Sequence, residues 1–214
     1  MLPSFCGLSQ LRHTVAQLGP MRSQPRPKRQ FSREIRAPKP LDAPRLEELA
    51  LAYVARFATS AAKLETYLRR KLRERGWEGE HEAHTAALIE RLVSAGYVDD
   101  TAYARSKSGS LLRRGYGERR IGQALGAAGI AAEVREEVRS GEGDQRRAAL
   151  ALAAKRRFGP FGDKAGDRAA REKQLGAMLR AGHPLDSARE LVNAISVAAA
   201  EQWAAEADED EPCD

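Results

Sequence analysis

The chain has 214 residues, 42% of them hydrophobic but only 6% aromatic, and a formal net charge of +6. That length allows a sizeable core and one or two domains, and the dominance of Ala, Leu, Arg and Glu favours helices. No apolar run approaches the ~20 residues of a membrane span. The two cysteines, Cys6 and Cys213, give neither a disulfide framework nor a zinc spacing. The expectation is a protein of a reducing, cytoplasmic setting with no membrane partner. The charge is uneven. Residues 1–45 carry nine Lys/Arg against two acids, a net +7, and residues 201–214 carry seven acids and no base, a net −7.

Taken in order, residues 1–44 read as a disordered basic arm. Pro20, Pro25, Pro27, Pro38, Pro40 and Pro44 interrupt any helix. A first three-helix unit then spans 45–97. Leu46, Leu49, Ala50, Tyr53, Val54 and Phe57 recur at helical spacing. Ser60 caps a second helix whose buried stripe is Leu64, Leu68 and Leu72, and Gly76 ends it. A third helix, roughly His84–Ala95, buries Leu88, Leu92 and either Ile89 or Val93.

A second unit spans 98–143. Asp99 or Asp100 caps its first helix, and the pair at a helix start favours capping over metal binding. Tyr103, Ala104, Leu111 and Leu112 are its apolar positions. The turn Gly115-Tyr116-Gly117 breaks it. Ile121, Leu125 and Gly129 repeat the second-helix pattern, and a short helix over 132–139 follows. After a linker at 140–144, a third unit over 144–200 carries Ala149, Leu152 and Ala153, then Leu175, Met178 and Leu179, then Leu185, Ala188, Leu191 and Val192. Residues 201–214 read as a disordered acidic tail. No stretch alternates with period two, so no sheet is expected.

One echo ties the units together. Gly76, Gly129 and Gly182 each end a helix-like stretch and stand 53 residues apart. An apolar residue precedes each by four positions: Leu72, Leu125 and Met178. Three copies of one helix ending indicate three copies of one helical unit, and such arrays present surfaces more often than closed pockets.

Catalytic sets are missing from the sequence. It contains no GxxxxGK, GxSxG, HExxH or EF-hand loop. GQALGAAG (122–129) is glycine-rich, but it lies inside a helical pattern with no preceding strand. His81 and His84 have no cysteine nearby and read as wet helix-start residues. The reading is therefore a non-enzyme with no metal and no cofactor. What stands out is arginine. Arg69, Arg70 and Arg73 lie off the leucine stripe. Arg113 and Arg114 precede the Gly-Tyr-Gly turn, and Arg119 and Arg120 follow it. These seven are the candidate contact residues for a polyanionic or acidic partner.

The stretch 96–130 resembles the core signature of the RecX family of recombinase regulators. It sets an apolar residue before two acids (Val98, Asp99, Asp100), then an aromatic-alanine pair (Tyr103, Ala104). After a spacer come Arg113, Arg114, Gly115, Gly117, Arg120, Ile121, Leu125, Gly129 and Ile130. Asp99, Asp100, Tyr103, Ala104, Gly115, Gly117, Ile121, Leu125 and Gly129 are the structural positions of this motif. Residues 49–76 resemble the family's opening helices but run longer between Ser60 and Gly76. The third unit matches loosely through LGAMLRAGHPLDSARELV. The resemblance implies an all-α fold: an elongated, curved array of three tandem three-helix repeats, acting as a monomer. It implies a regulator that binds the RecA recombinase filament on DNA, usually inhibiting ATP hydrolysis and strand exchange. Homologous recombination, DNA repair and the SOS response would be its setting. The alternative is a helical protein that binds single- or double-stranded DNA directly through its basic surface.

Overall fold

The computed structural model describes residues 39–162 and 167–209, with side chains to 207. Cys6, Cys213, His13 and most of the basic arm lie outside the described residues. Among the described residues, ten α-helices and one 3-10 turn (Gly159–Phe161) account for the regular structure. An isolated parallel bridge joins Leu41 to Trp77, and no other strand pairing occurs among the described residues.

The first core is built by α1 (Ala43–Val54), α2 (Ala61–Arg75) and α3 (Thr85–Ser94). Asp42 caps α1 by accepting the Arg45 amide at 2.9 Å, and Pro44 fits the first turn, where no amide is required. Leu46, Ala50, Leu64, Leu68, Ile89 and Leu92 fill the core, joined by Leu41 and Val98 from the flanking chain. Of the two alternatives on α3, Ile89 is buried and Val93 is 45% exposed. Phe57 lies beyond the end of α1 and is 52% exposed, because the helix stops at Val54. The arm ends sooner than the prolines imply. Leu41 is fully buried, its amide donating to the Gly76 carbonyl and its carbonyl accepting the Glu78 amide, both at 2.9 Å.

The second core comes from α4 (Asp100–Arg113), α5 (Glu118–Gly126) and α6 (Ala132–Glu137). Ala104, Leu111, Ile121, Leu125, Ala128 and Ile130 are its buried members. Tyr103 is only half-buried, and the Lys63 ammonium donates to its hydroxyl.

The third core needs four helices: α7 (Glu142–Arg156), α8 (Arg168–Ala181), α9 (Leu185–Asn193) and α10 (Val197–Glu209). The presumed linker at 140–144 is largely helix, since α7 already starts at Glu142. The acidic tail is corrected too, because residues 201–209 continue α10. Its acids do not prevent this: Ala200, Ala204 and Ala207 are buried, and Trp203 packs against the core with the Arg146 guanidinium over its ring. These positions fall at i, i+4 and i+7, with Trp203 at i+3, so one apolar face points inward while Glu201 and Glu206 stay exposed.

Two joints connect the three cores, and both are built on the glycine echo. All three glycines have positive φ (77° at Gly76, 75° at Gly129, 101° at Gly182), which side-chain-bearing residues rarely adopt. At the first joint, the end of α5 meets the start of α2. The Ser60 hydroxyl donates to the Ala128 carbonyl at 2.6 Å while accepting the Lys63 amide at 3.3 Å. Asp99 caps α4 by accepting the Ala102 amide at 2.8 Å. Asp100 reaches across and accepts the Ala61 amide at 2.9 Å. The two acids thus divide the work: one caps its own helix and the other caps the neighbouring unit's. At the second joint, the end of α8 meets the start of α5. The Gly117 amide donates to the Ala181 carbonyl at 3.0 Å, and the Arg119 amide donates to the Gly182 carbonyl at 3.3 Å. In each joint the N-cap residue, Ser60 or Gly117, donates to the carbonyl just before the helix-ending glycine. Carbonyls left over at one helix end are satisfied by donors at the start of the next.

Candidate docking cleft

The second joint opens a cleft of about 300 Å³ lined by Arg114, Tyr116, Arg120, Leu152, Lys155, Arg156, Phe158, Ala177, Arg180 and Ala181. Helix periodicity assembles it. Leu152, Lys155 and Arg156 are i, i+3 and i+4 on α7, and Ala177, Arg180 and Ala181 repeat that spacing on α8. Arg114 ends α4, and Arg120 lies in the first turn of α5. Their guanidinium carbons sit 5.3 and 5.9 Å from the Tyr116 ring centroid, a cation–π arrangement that holds both on one aromatic post. Tyr116 packs against both the second and the third core, so the post is anchored from two sides.

Phe158 is delivered by an unusual helix ending. Arg157 adopts φ 55° and ψ 47°, the left-handed conformation usually left to glycine. The Phe158 amide then donates back to the Ala153 carbonyl at 2.9 Å, and the Arg157 amide to Ala154 at 3.2 Å. This doubly bonded ending turns the chain so that Phe158 completes the floor with Leu152, Ala177 and Ala181.

The electrostatics are one-sided. No acid lines the cleft, and Arg114, Arg120, Lys155, Arg156 and Arg180 form no ion pair among the described residues. Lys155, Arg156 and Arg180 sit in last helical turns, where a cation gains about 0.3–1 kcal/mol from the helix dipole. That gain explains cations at each helix end separately. It does not explain why four helices direct them at one concavity. Concave surfaces lined by one sign of charge concentrate the field and attract counter-charged partners.

The structure distributes the seven candidate arginines unevenly. Arg114 and Arg120 meet in the cleft. Arg119 does not join them: its guanidinium donates to the Leu179 carbonyl, on the other side of α5, and clamps the joint. Adjacent helix positions project about 100° apart, which separates the pair. Arg113 is exposed on α4 and outside the cleft lining. In the first unit Arg69 pairs with Glu65 at 2.7 Å and Arg70 with Glu74 at 3.6 Å, while Arg73 stays exposed without an ion pair among the described residues. Lys155, Arg156 and Arg180, with Tyr116 and Phe158, complete the cluster. The i, i+3, i+4 spacing on α7 and α8 was the signal for the three cations.

His183 backs the same joint from inside. It is 3% exposed, and its Nε2 lies 3.0 Å from the Gly115 carbonyl. A carbonyl only accepts, so Nε2 carries the proton there. Burial pulls the His183 pKa below its ordinary value, and the carbonyl contact offsets this in part. His81 and His84 are exposed, with His84 at the α3 N-cap making no capping bond. No group of three potential metal ligands occurs, and no helix is long and apolar enough to cross a membrane, among the described residues.

Comparison with known proteins agrees with this architecture. Residues 99–138 match the family description "RecX, second three-helix domain". The chain is 32% identical over 176 residues to the regulatory protein RecX of Myxococcus xanthus, covering 78% of this chain and 94% of the relative. It is 40% identical over 116 residues to the regulatory protein RecX of Thermus thermophilus, covering 54% and 75% of the two chains. The crystal structure of RecX from Lactobacillus salivarius superposes with a TM-score of 0.55 at 20% identity over 70% of this chain and 93% of that one, a likeness of fold. With an all-helical body, the matched central unit and a relative aligned over nearly its whole length, the chain belongs to the RecX family of regulatory proteins.

Proposed function

We propose that the chain binds the RecA recombinase filament on DNA and lowers its ATP hydrolysis and strand exchange, acting as a monomer and without catalysis of its own. Its setting is then cytoplasmic homologous recombination, DNA repair and the SOS response. Family membership supports a regulatory role. The observation that carries the docking reading is the cleft at the second joint, where five cations without carboxylate partners among the described residues converge from four helices. The recombinase supplies the ATP site in this reading. Docking hinders filament growth or its contact with duplex DNA.

The test is a titration of the protein into RecA, single-stranded DNA and ATP. ATPase and strand exchange fall as the protein is added. The Arg114→Glu/Arg156→Glu double variant needs at least tenfold more protein for the same effect while its circular dichroism stays helical. Unchanged activity over a wide titration of the parent chain sinks the proposal. A second reading, direct DNA binding, is favoured by the same cations. It predicts affinity in the absence of recombinase that weakens steeply with salt and ignores base sequence.

A further inference from the structure

The cleft is not simply a patch of positive charge. Its rim is cationic, but its floor is hydrocarbon: Leu152, Ala177 and Ala181, with the half-buried ring of Phe158 beside them. A phosphate chain has no use for such a floor. Base stacking would need a bare aromatic face, and the Tyr116 ring is already attended by two guanidiniums. Four of the five rim cations are arginines, whose forked donors match carboxylates in pairs. A concavity of about 300 Å³ holds one bulky apolar side chain with its flanking backbone, and residues of α7 and α8 border it.

We propose that the cleft is a receptor for an acidic polypeptide segment carrying one bulky apolar residue, the carboxylates meeting Arg114, Arg120, Lys155, Arg156 and Arg180 and the apolar side chain seated on the Leu152–Phe158 floor. This rests on the cleft's being the docking surface, but not on the recombinase's being the partner. The pairing is selective because the two halves fail differently. An acidic segment without the apolar residue leaves the floor wet. An apolar segment without acids leaves the cations uncompensated. Nucleic acid satisfies only the rim.

Three fluorescent probes test this on the full-length chain by anisotropy. The first is the peptide Glu-Asp-Asp-Phe-Asp-Glu, the second is the same peptide with Ser for Phe, and the third is an oligothymidylate of equal net charge. The Phe peptide binds at least tenfold tighter than the Ser peptide and the oligothymidylate. Its binding drops at least tenfold in Lys155→Glu/Arg156→Glu, two exposed positions whose exchange leaves the circular dichroism unchanged. Equal affinity for the two peptides, no peptide binding, or tighter binding of the oligothymidylate overturns the inference. Deleting residues 210–214 leaves Phe-peptide affinity within twofold. A rise of fivefold or more makes the chain's own acidic end the occupant and overturns a separate partner. The two readings fail separately. Cleft variants that lose the filament effect while the parent ignores the peptides refute this inference alone. Peptide binding by a chain that leaves RecA unaffected refutes the filament proposal alone.

Discussion

A methyl group added at Gly117 and one added at Gly122 act in opposite directions, although one residue caps α5 and the other lies only five positions further on, inside it. Gly117 has φ −84°, which any residue adopts, so its alanine variant meets no backbone penalty of its own. Its new Cβ falls 2.5 Å from the carbonyl carbon and oxygen of Gly182 and 2.6 Å from the His183 amide, against an ordinary contact of 3.4–4 Å. The obstructing atoms are backbone, so the joint must open by about 1 Å. Overpacking of this kind costs roughly 1–3 kcal/mol. Opening also stretches the Gly117–Ala181 and Arg119–Gly182 hydrogen bonds, each worth about 0.5–1.5 kcal/mol. The total is about 2–6 kcal/mol, or roughly 4–24 °C in melting temperature for a chain of this size. Gly122 has nothing within 4 Å of its added Cβ and lies inside the helix. Gly122→Ala therefore gains about 0.5–1 kcal/mol from the better helix former. Thermal melts followed by circular dichroism decide it. If Gly117→Ala melts within 1 °C of the parent, the joint is not the close backbone contact described here.

Two further outcomes follow from burial. The Ile121 side chain is 1% exposed, so Ile121→Ala costs roughly 2–5 kcal/mol by urea denaturation, whereas Tyr103→Ala, from a half-buried site, costs clearly less; equal costs would refute the assignment of these positions. His183 is held neutral by burial, its folded pKa lying below the ordinary value near 6.5. The unfolded chain therefore takes up this proton first. The His183 contribution is complete above about pH 6.5 and is lost as pH falls through that value toward the folded pKa, by at most about 1.4 kcal/mol per pH unit. The stability difference between parent and His183→Asn shrinks from pH 7.5 to 5; a constant difference would show that His183 does not titrate with folding.

Helix existence was legible because Leu64, Leu68, Ile121, Leu125, Leu191 and their neighbours keep strict helical spacing. The glycine echo was legible as helix endings. Its second role was not, because the partners of Gly129 and Gly182 are distant in sequence: an added Cβ would meet Ala62 in one case and Arg120 in the other. Composition misled at both ends. The acids after 200 concealed the Ala200–Trp203–Ala204–Ala207 face of α10, and the prolines before 45 concealed Leu41. Arginine clustering in the sequence was a poor guide to clustering in space. Arg119 and Arg120 are adjacent and part company, while Arg114 and Arg180 lie 66 positions apart and share one cleft.

Gly76 differs from its two counterparts in having no neighbour within 4 Å of an added Cβ, and its carbonyl accepts the Leu41 amide instead of a donor from another unit. A modular protein whose last joint surface stays free can recruit another molecule in the same register and polymerise. Here a few residues preceding α1 occupy that valence. Leu41 thus serves the Gly76 helix ending from within its own unit, where donors of the preceding unit serve the endings at Gly129 and Gly182.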